Sequence, residues 1–217
     1  SAVVRTRIRV NVFSTASSAT AVASAVTVVS SVALTASLIS QSKYMPVLEL
    51  KGVHKSFASN TVLDQLNLTV ESGTVFGFLG PNGAGKSTTI NILLGLQSPT
   101  SGTARVLGYD VETHRNEIHQ RVGVLPEGGT PVPNLTGIDH IEFVARTRGV
   151  AVDPIEQLCY VGLDAEAHDR PAAEYSTGMR QRLWLAMALV GDPELVVLDE
   201  PTTGLDPDGI REIRELV

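Results

Sequence analysis

The sequence predicts an α/β fold carrying a helical insertion, and three stretches of its 217 residues predict it. Thr74 to Leu79 is a short apolar run, Gly80 to Ser87 is a glycine-rich loop, and Thr88 to Leu96 is apolar at helical spacing. Together they read as buried strand, loop and helix. Leu195 to Leu198 is a second apolar run, and it ends in the pair Asp199-Glu200. Such a run suits a strand covered on both faces of a parallel sheet. Between them, from Asp110 to Glu174, strand-like runs become rare and helical ones take over, which predicts a helical insertion between two halves of the core.

The loop carries the chemistry. Gly80-Pro81-Asn82-Gly83-Ala84-Gly85-Lys86-Ser87 fits the phosphate-loop template, two glycines five positions apart followed by Lys and Ser. Glycines let backbone N–H groups turn inward and approach phosphate oxygens. The following helix, opening at Thr88, directs its positive end at the same anion. Lys86 can reach the β- and γ-phosphates, and the Ser87 hydroxyl can ligate Mg²⁺. A ligand-free glycine turn would not need the whole pattern, so the stretch predicts a nucleoside triphosphate site.

Composition bounds the rest. Hydrophobic residues make up 43% of the chain, enough for a packed core, and the length suits one domain with a subdomain. The net charge is −6, unevenly placed: residues 1–44 hold Arg5, Arg7, Arg9 and Lys43 and no acid, leaving −10 for the remainder. No clustered basic patch suggests a nucleic-acid face. The lone Cys159 excludes an intrachain disulfide and a cysteine-based zinc site, and its apolar neighbours predict a small core residue.

Residues 1–44 form an Ala/Ser/Thr/Val-rich leader with neither helical nor strand periodicity. A membrane or signal segment, a transit peptide, and upstream sequence translated ahead of a start at Met45 all fit it. The last is preferred, since Met45 falls just before the first strand pattern and the chain opens on Ser1. The leader is therefore expected to lie outside a domain spanning 45–217.

In chain order, Val47 to Val53 alternates and reads as an edge strand; a turn at Ala58 to Asn60 leads to a second strand over Val62 to Val70. Phe57 sits between them at the rim of a loop, where an exposed ring can stack on an adenine face. Thr103 to Leu107 reads as another strand, and Gly123 to Glu127 as a short one ending in a carboxylate. A loop over Gly128 to Pro133 follows. Thr136-x-x-Asp139 resembles a capping box and opens a helix through Ala145; a second helix covers Pro154 to Val161. Tyr175 to Leu183 precedes a helix that Gly191 and Pro193 stop, with Ser176 and the Gly178 backbone offering donors to an anion. Asp199 can hold Mg²⁺ through water, and Glu200 can polarise an attacking water as general base. Thr203 to Pro207 reads as a tight turn before a helix start at Asp208 to Val217.

With these motifs in this order, the chain from Met45 to Val217 resembles the ATP-binding subunit of an ABC transporter. Tyr-Ser-x-Gly-Met-x-Gln-Arg-Leu at 175–183 most resembles single-cassette subunits of bacterial drug and antibiotic exporters. The resemblance implies a P-loop NTPase core with a mixed sheet and a helical subdomain at about 110–190. It implies that Phe57 stacks on adenine, that Gly80 to Ser87 is the phosphate loop with Lys86 catalytic, and that Asp199 serves the metal and Glu200 the water. Ser176 and Gly178 would contact ATP bound by the opposite subunit of a homodimer, and Asp206 would lie at the dimer interface. The cofactors implied are ATP and Mg²⁺. The partner implied is a transmembrane permease subunit, with the chain peripheral on the cytoplasmic face of the cell membrane and no nucleic acid involved.

Three departures qualify the match. Glu127 stands where the family most often has Gln as a nucleotide and metal contact. Thr177 and Met179 replace a Gly and a Gln of the signature. None of the five histidines follows Asp206, although the family places a catalytic-loop His beyond it. The chain is accordingly expected to be a C-terminally truncated, poorly active fragment. A soluble ABC-type ATPase acting on ribosomes or DNA, and an ATP-binding module without turnover, are the competing readings. The first usually carries paired cassettes or long coiled coils, which the sequence lacks.

Overall fold

Two sheets of different kind flank one another, and their difference explains where the site forms. In the computed structural model, which describes residues 46–78, 80–201 and 211, the first sheet is antiparallel. β1 (Pro46–Phe57) turns through Ala58, at a left-handed φ of 51°, into β2 (Asn60–Glu71). β1 also pairs with β3 (Ser101–Val106), which pairs with β4 (Tyr109–Asp110), giving the order β2-β1-β3-β4. β1 is thus an inner strand, not the edge strand its alternation suggested. Alternation reports one buried face, here Leu48 and Leu50, and says nothing about which backbone edges are paired.

The second sheet is parallel and short. β5 (Val122–Leu125) lies in register with β6 (Leu195–Leu198), Val122 facing Leu195 and Leu125 facing Leu198. All four residues of β6 are buried because both faces are covered. Leu125, Val196 and Leu198 face a core built by helices, while Val122, Leu195 and Val197 face one built by the antiparallel sheet and the first helices. This is why the run Leu195 to Leu198 is apolar throughout rather than alternating.

Five helices are described: α1 (Lys86–Leu93), α2 (Arg115–Arg121), α3 (Gly137–Arg148), α4 (Pro154–Tyr160) and α5 (Thr177–Leu189). Short 3₁₀ turns sit at Ala165–Ala167 and Ala172–Glu174. The capping box is complete: the Asp139 N–H donates to Thr136 Oγ1 at 3.1 Å, and the Thr136 N–H donates to Asp139 Oδ2 at 2.8 Å. These bonds hold the Asp139 carboxyl below the usual carboxylate range. Asp153 caps α4 by accepting from Ile155 N and Glu156 N. Arg148 ends α3 and braces it against the core, donating to Val190 O at 2.6 Å, Val122 O at 2.9 Å and Ala188 O at 3.4 Å. Burial lowers its pKa from the ordinary arginine value.

Four further expectations are corrected. Residues 74–78 form no strand, and Val75 is 53% exposed. An apolar run becomes a strand only where a neighbour supplies its hydrogen-bond ladder, and among the described residues none pairs with it. α1 begins at Lys86, after the Gly85 cap, and ends at Leu93, where Gly95 takes a left-handed φ of 65°, so it starts and stops earlier than Thr88 to Leu96. Phe57 is the last residue of β1, paired with Asn60, rather than part of a loop. Cys159 is exposed, because α4 buries only Leu158 and the next residue points away. The leader at 1–44, the turn at 203–207 with Asp206, and the helix start at 208–217 lie outside the described residues, apart from Arg211.

Candidate functional site

Parallel register builds the acidic half of the site. The Asp199 N–H donates to Leu125 O at 2.8 Å, extending the β5·β6 ladder one residue beyond the strands. Glu127 follows β5 and Asp199-Glu200 follow β6, so three carboxylates gather at the carboxyl ends of adjacent parallel strands. That is where α/β sheets open for ligands. Asp199 is only 7% exposed. Burial first, then the Glu127 and Glu200 charges, push its pKa up to about 6, while the Lys86 ammonium pulls it down. Asp199 therefore feels the charges of the other three groups. Glu200 holds a left-handed φ of 51°, a conformation that costs a non-glycine residue energy and clusters at functional sites.

The basic half is the loop. Lys86 is buried at the N-terminus of α1, and its Nζ donates to Gly80 O at 2.7 Å and Pro81 O at 2.9 Å. The Ala84 N–H donates to Pro81 O at 3.1 Å, tightening the turn. Gly85 caps α1 at φ 84°, and a Cβ there would meet Leu63 Cδ2 at 2.5 Å and Val62 O at 3.0 Å. Only glycine fits. The contact also seats the loop on β2. Pro81, Asn82, Gly83, Ala84 and Ser87 are exposed, Gly80 and Thr88 half-buried, so the loop presents its backbone to solvent. Thr89, which the sequence reading passed over, is buried with its hydroxyl donating to Gly85 O at 2.8 Å, locking the helix start.

Phe57 lies at the tip of the same hairpin, 47% exposed. Its strand partner Asn60 is two residues from Val62, about 7 Å along an extended chain, and Val62 touches Gly85. The tip of the hairpin thus lies a few residues along β2 from the point where the loop rests on it.

Ser176 and Gly178 are placed differently. Ser176 is exposed and caps α5, its Oγ accepting from Met179 N at 3.2 Å, and Gly178 lies within the first turn, so the Tyr-Ser-x-Gly stretch opens the helix rather than preceding it. Among the described residues no hydrogen bond joins either to the phosphate loop. α5 does grip the acidic half. Gln181 Nε2 donates to Pro201 O at 2.7 Å, beside Glu200, and Trp184 Nε1 donates to Gly129 O at 2.8 Å, beyond Glu127. A Cβ on Gly129 would strike the Trp184 ring at 2.8 Å. Neither anchor was legible from spacing, since both join segments distant in the chain. Asp206 lies outside the described residues.

Among the described residues no three His, Cys, Asp or Glu side chains form a metal cage, and no helix is long and apolar enough to cross a membrane.

The chain is similar in sequence and fold to known proteins. The family model described as ABC transporter matches residues 63–203. The chain is 43% identical over 171 residues to the uncharacterized ABC transporter ATP-binding protein YhcH of Bacillus subtilis, covering 78% of this chain and 56% of that one. It is 42% identical to the Nod factor export ATP-binding protein I of Sinorhizobium fredii, covering 78% and 50%. With the bacitracin transport ATP-binding protein BcrA of Bacillus licheniformis it shares 40% identity, covering 79% and 56%. The chain thus spans about half the length of these curated relatives. Among solved structures, an ATP-binding subunit of an ABC transporter superposes with a TM-score of 0.67 at 26% identity, covering 78% of this chain and 72% of that one. A dimeric ATP-binding cassette bound to ADP and Pi shares the fold at a TM-score of 0.66 and 22% identity, covering 78% and 80%.

Proposed function

The chain belongs to the ABC transporter family, and from that premise we propose that it binds and hydrolyses Mg²⁺-ATP to power transport, in the export direction, through a separate transmembrane permease. The observation that carries this reading is the parallel register that sets Glu127 beyond β5 and Asp199-Glu200 beyond β6, with Lys86 of the phosphate loop among the charges that act on the buried Asp199. The export direction rests on the names of the Nod factor and bacitracin relatives.

In this reading Lys86 gives up its carbonyl partners for the β- and γ-phosphates, and the backbone N–H groups of the loop other than Pro81, with that of Thr88, donate to the remaining phosphate oxygens. A Mg²⁺ ion suits the residues present. Ser87 offers a hydroxyl, Asp199 a buried carboxylate whose charge is disfavoured without a cation, and Glu127 a further carboxylate. Mg²⁺ takes few protein ligands and keeps water and phosphate oxygens, so a hydroxyl and a carboxylate suffice for it. The ion, when bound, neutralises charge on the β- and γ-oxygens. Glu200, held by its turn against Gln181, orients and deprotonates the attacking water. Phe57 stacks on adenine. Ser176 is exposed and Gly178 half-buried at the start of α5, where the second subunit of a homodimeric ATP sandwich can present its γ-phosphate; Asp206 is assigned to that interface.

The domain then spans 45–217, with residues of about 110–190 as a helical subdomain, of which Val111, Ile118 and Val122 join the core of the antiparallel sheet and the later helices pack on a core of their own. The protein works on the cytoplasmic face of the cell membrane. The test is recovery of tagged protein from its native host in mild detergent. A multi-spanning membrane protein should copurify, and recovery with ribosomes or DNA and no membrane protein would contradict the assignment.

A further inference from the structure

One side chain beside the site has no role in that reading. Lys55, two residues before Phe57 on β1, sets its Nζ 4.9 Å from the centre of the Phe57 ring. The same Nζ donates to Ser98 O at 2.8 Å. The ammonium is therefore pinned between a carbonyl and an aromatic face rather than left to solvent. Two hydrogen bonds hold this arrangement together: the Ser56 N–H donates to the Thr100 side-chain Oγ1 at 3.1 Å, and the Thr100 N–H donates to His54 O at 2.8 Å. Residues 98–100 follow closely on α1, the helix that carries Lys86 at its start. The end of β1 and the far end of the phosphate-loop helix are thus stapled to each other.

We propose that Lys55 is a positioning residue that fixes the Phe57 ring as a one-sided platform for the purine of the bound nucleotide. The proposal rests on the reading of Phe57 as the adenine-stacking aromatic. A terminal phenylalanine on an exposed strand end would otherwise sample several rotamers, and each would have to be frozen on binding. The cation removes that freedom and closes one ring face to any base. It also draws π density toward itself, leaving the opposite face less negative and a better partner for the electron-rich face of a purine. The tie to Ser98 sets the ring with respect to α1, so base and phosphates are held by a common frame.

The test compares Mg²⁺-ATP and Mg²⁺-tripolyphosphate, which lacks a base, by titration calorimetry on the full chain and on K55M, K55R and F57A. K55M keeps the apolar stem and loses the charge. It should weaken ATP binding about two- to fivefold, the range expected of a surface cation–π contact, and leave tripolyphosphate unchanged. K55R keeps a cation over the ring and should restore ATP affinity. Unaltered ATP affinity in K55M, with F57A weakened, overturns the role of Lys55 while leaving the Phe57 reading intact. Unaltered affinity in F57A overturns that reading and Lys55 with it. Equal losses for ATP and tripolyphosphate in K55M would mean that Lys55 acts through its charge or through the fold, and would also overturn the proposal.

Discussion

Replacing Asp199 by Asn should make the nucleotide-free protein more stable while disabling it. Asp199 sits nearly buried with the Glu127 and Glu200 charges facing it, and its pKa rises from the ordinary 3.8 to about 6. The folded protein therefore holds this proton more tightly than the unfolded chain. Stability is lost as pH rises through the window from about 4 to about 6, and stays level above it. The difference corresponds to about 3 kcal/mol at pH 8, an upper figure because water relaxing into the site screens the charges. D199N removes the ionisation and keeps the shape. In urea titrations the variant should match the parent near pH 4 and exceed it by about 1–3 kcal/mol at pH 8. Adding Mg²⁺-ATP should then stabilise the parent and not the variant, because the carboxylate is the group the cation needs. A variant no more stable than the parent at pH 8, or a gap that does not change with pH, would refute the electrostatic account of the site.

Two other outcomes follow from the same geometry. E200Q keeps the side-chain shape without the base, so hydrolysis should fall about 100-fold or more while ATP binding persists and drives a dimer visible by size-exclusion chromatography; parent-rate turnover would exclude Glu200 as base. R148A strands the carbonyls of Val122, Ala188 and Val190 and should cost roughly 2–4 kcal/mol, seen as a lower thermal midpoint that R148K partly restores, whereas an unchanged midpoint would deny Arg148 its bracing role.

What the sequence disclosed was local in its physics. The phosphate loop needs glycine at Gly85 because β2 leaves no room for a Cβ, and the pattern carries that need. The Thr136·Asp139 box closes within one helical turn. The Asp199-Glu200 pair was marked by a run that must be buried on both faces. Features that depend on distant partners were hidden. The residues before the loop looked like a strand, yet pairing and not hydrophobicity decides that. β1 looked like an edge because its backbone partners, β2 and β3, are set by topology. α2 is seven residues long and buries only Ile118, too little periodicity to read. Gln181, Trp184, Arg148 and Lys55 each act on a carbonyl or ring far along the chain or across a bulged strand, and no spacing rule anticipates them. Cys159 misled because apolar neighbours in sequence were taken for neighbours in space.

The most direct test of the central claim is Lys86→Ala in an equilibrium titration with a fluorescent ATP analogue and Mg²⁺. Lys86 sets its ammonium inside the loop, bonded to Gly80 O and Pro81 O, and its charge acts on Asp199. Charge-assisted contacts contribute about 1.5–3 kcal/mol each, so affinity should fall at least about tenfold. The variant must keep the parent's far-ultraviolet circular dichroism for the comparison to count. Affinity at least about tenfold weaker in a folded protein is the result predicted; a folded Lys86→Ala protein that binds the analogue as tightly as the parent would contradict the nucleotide site itself.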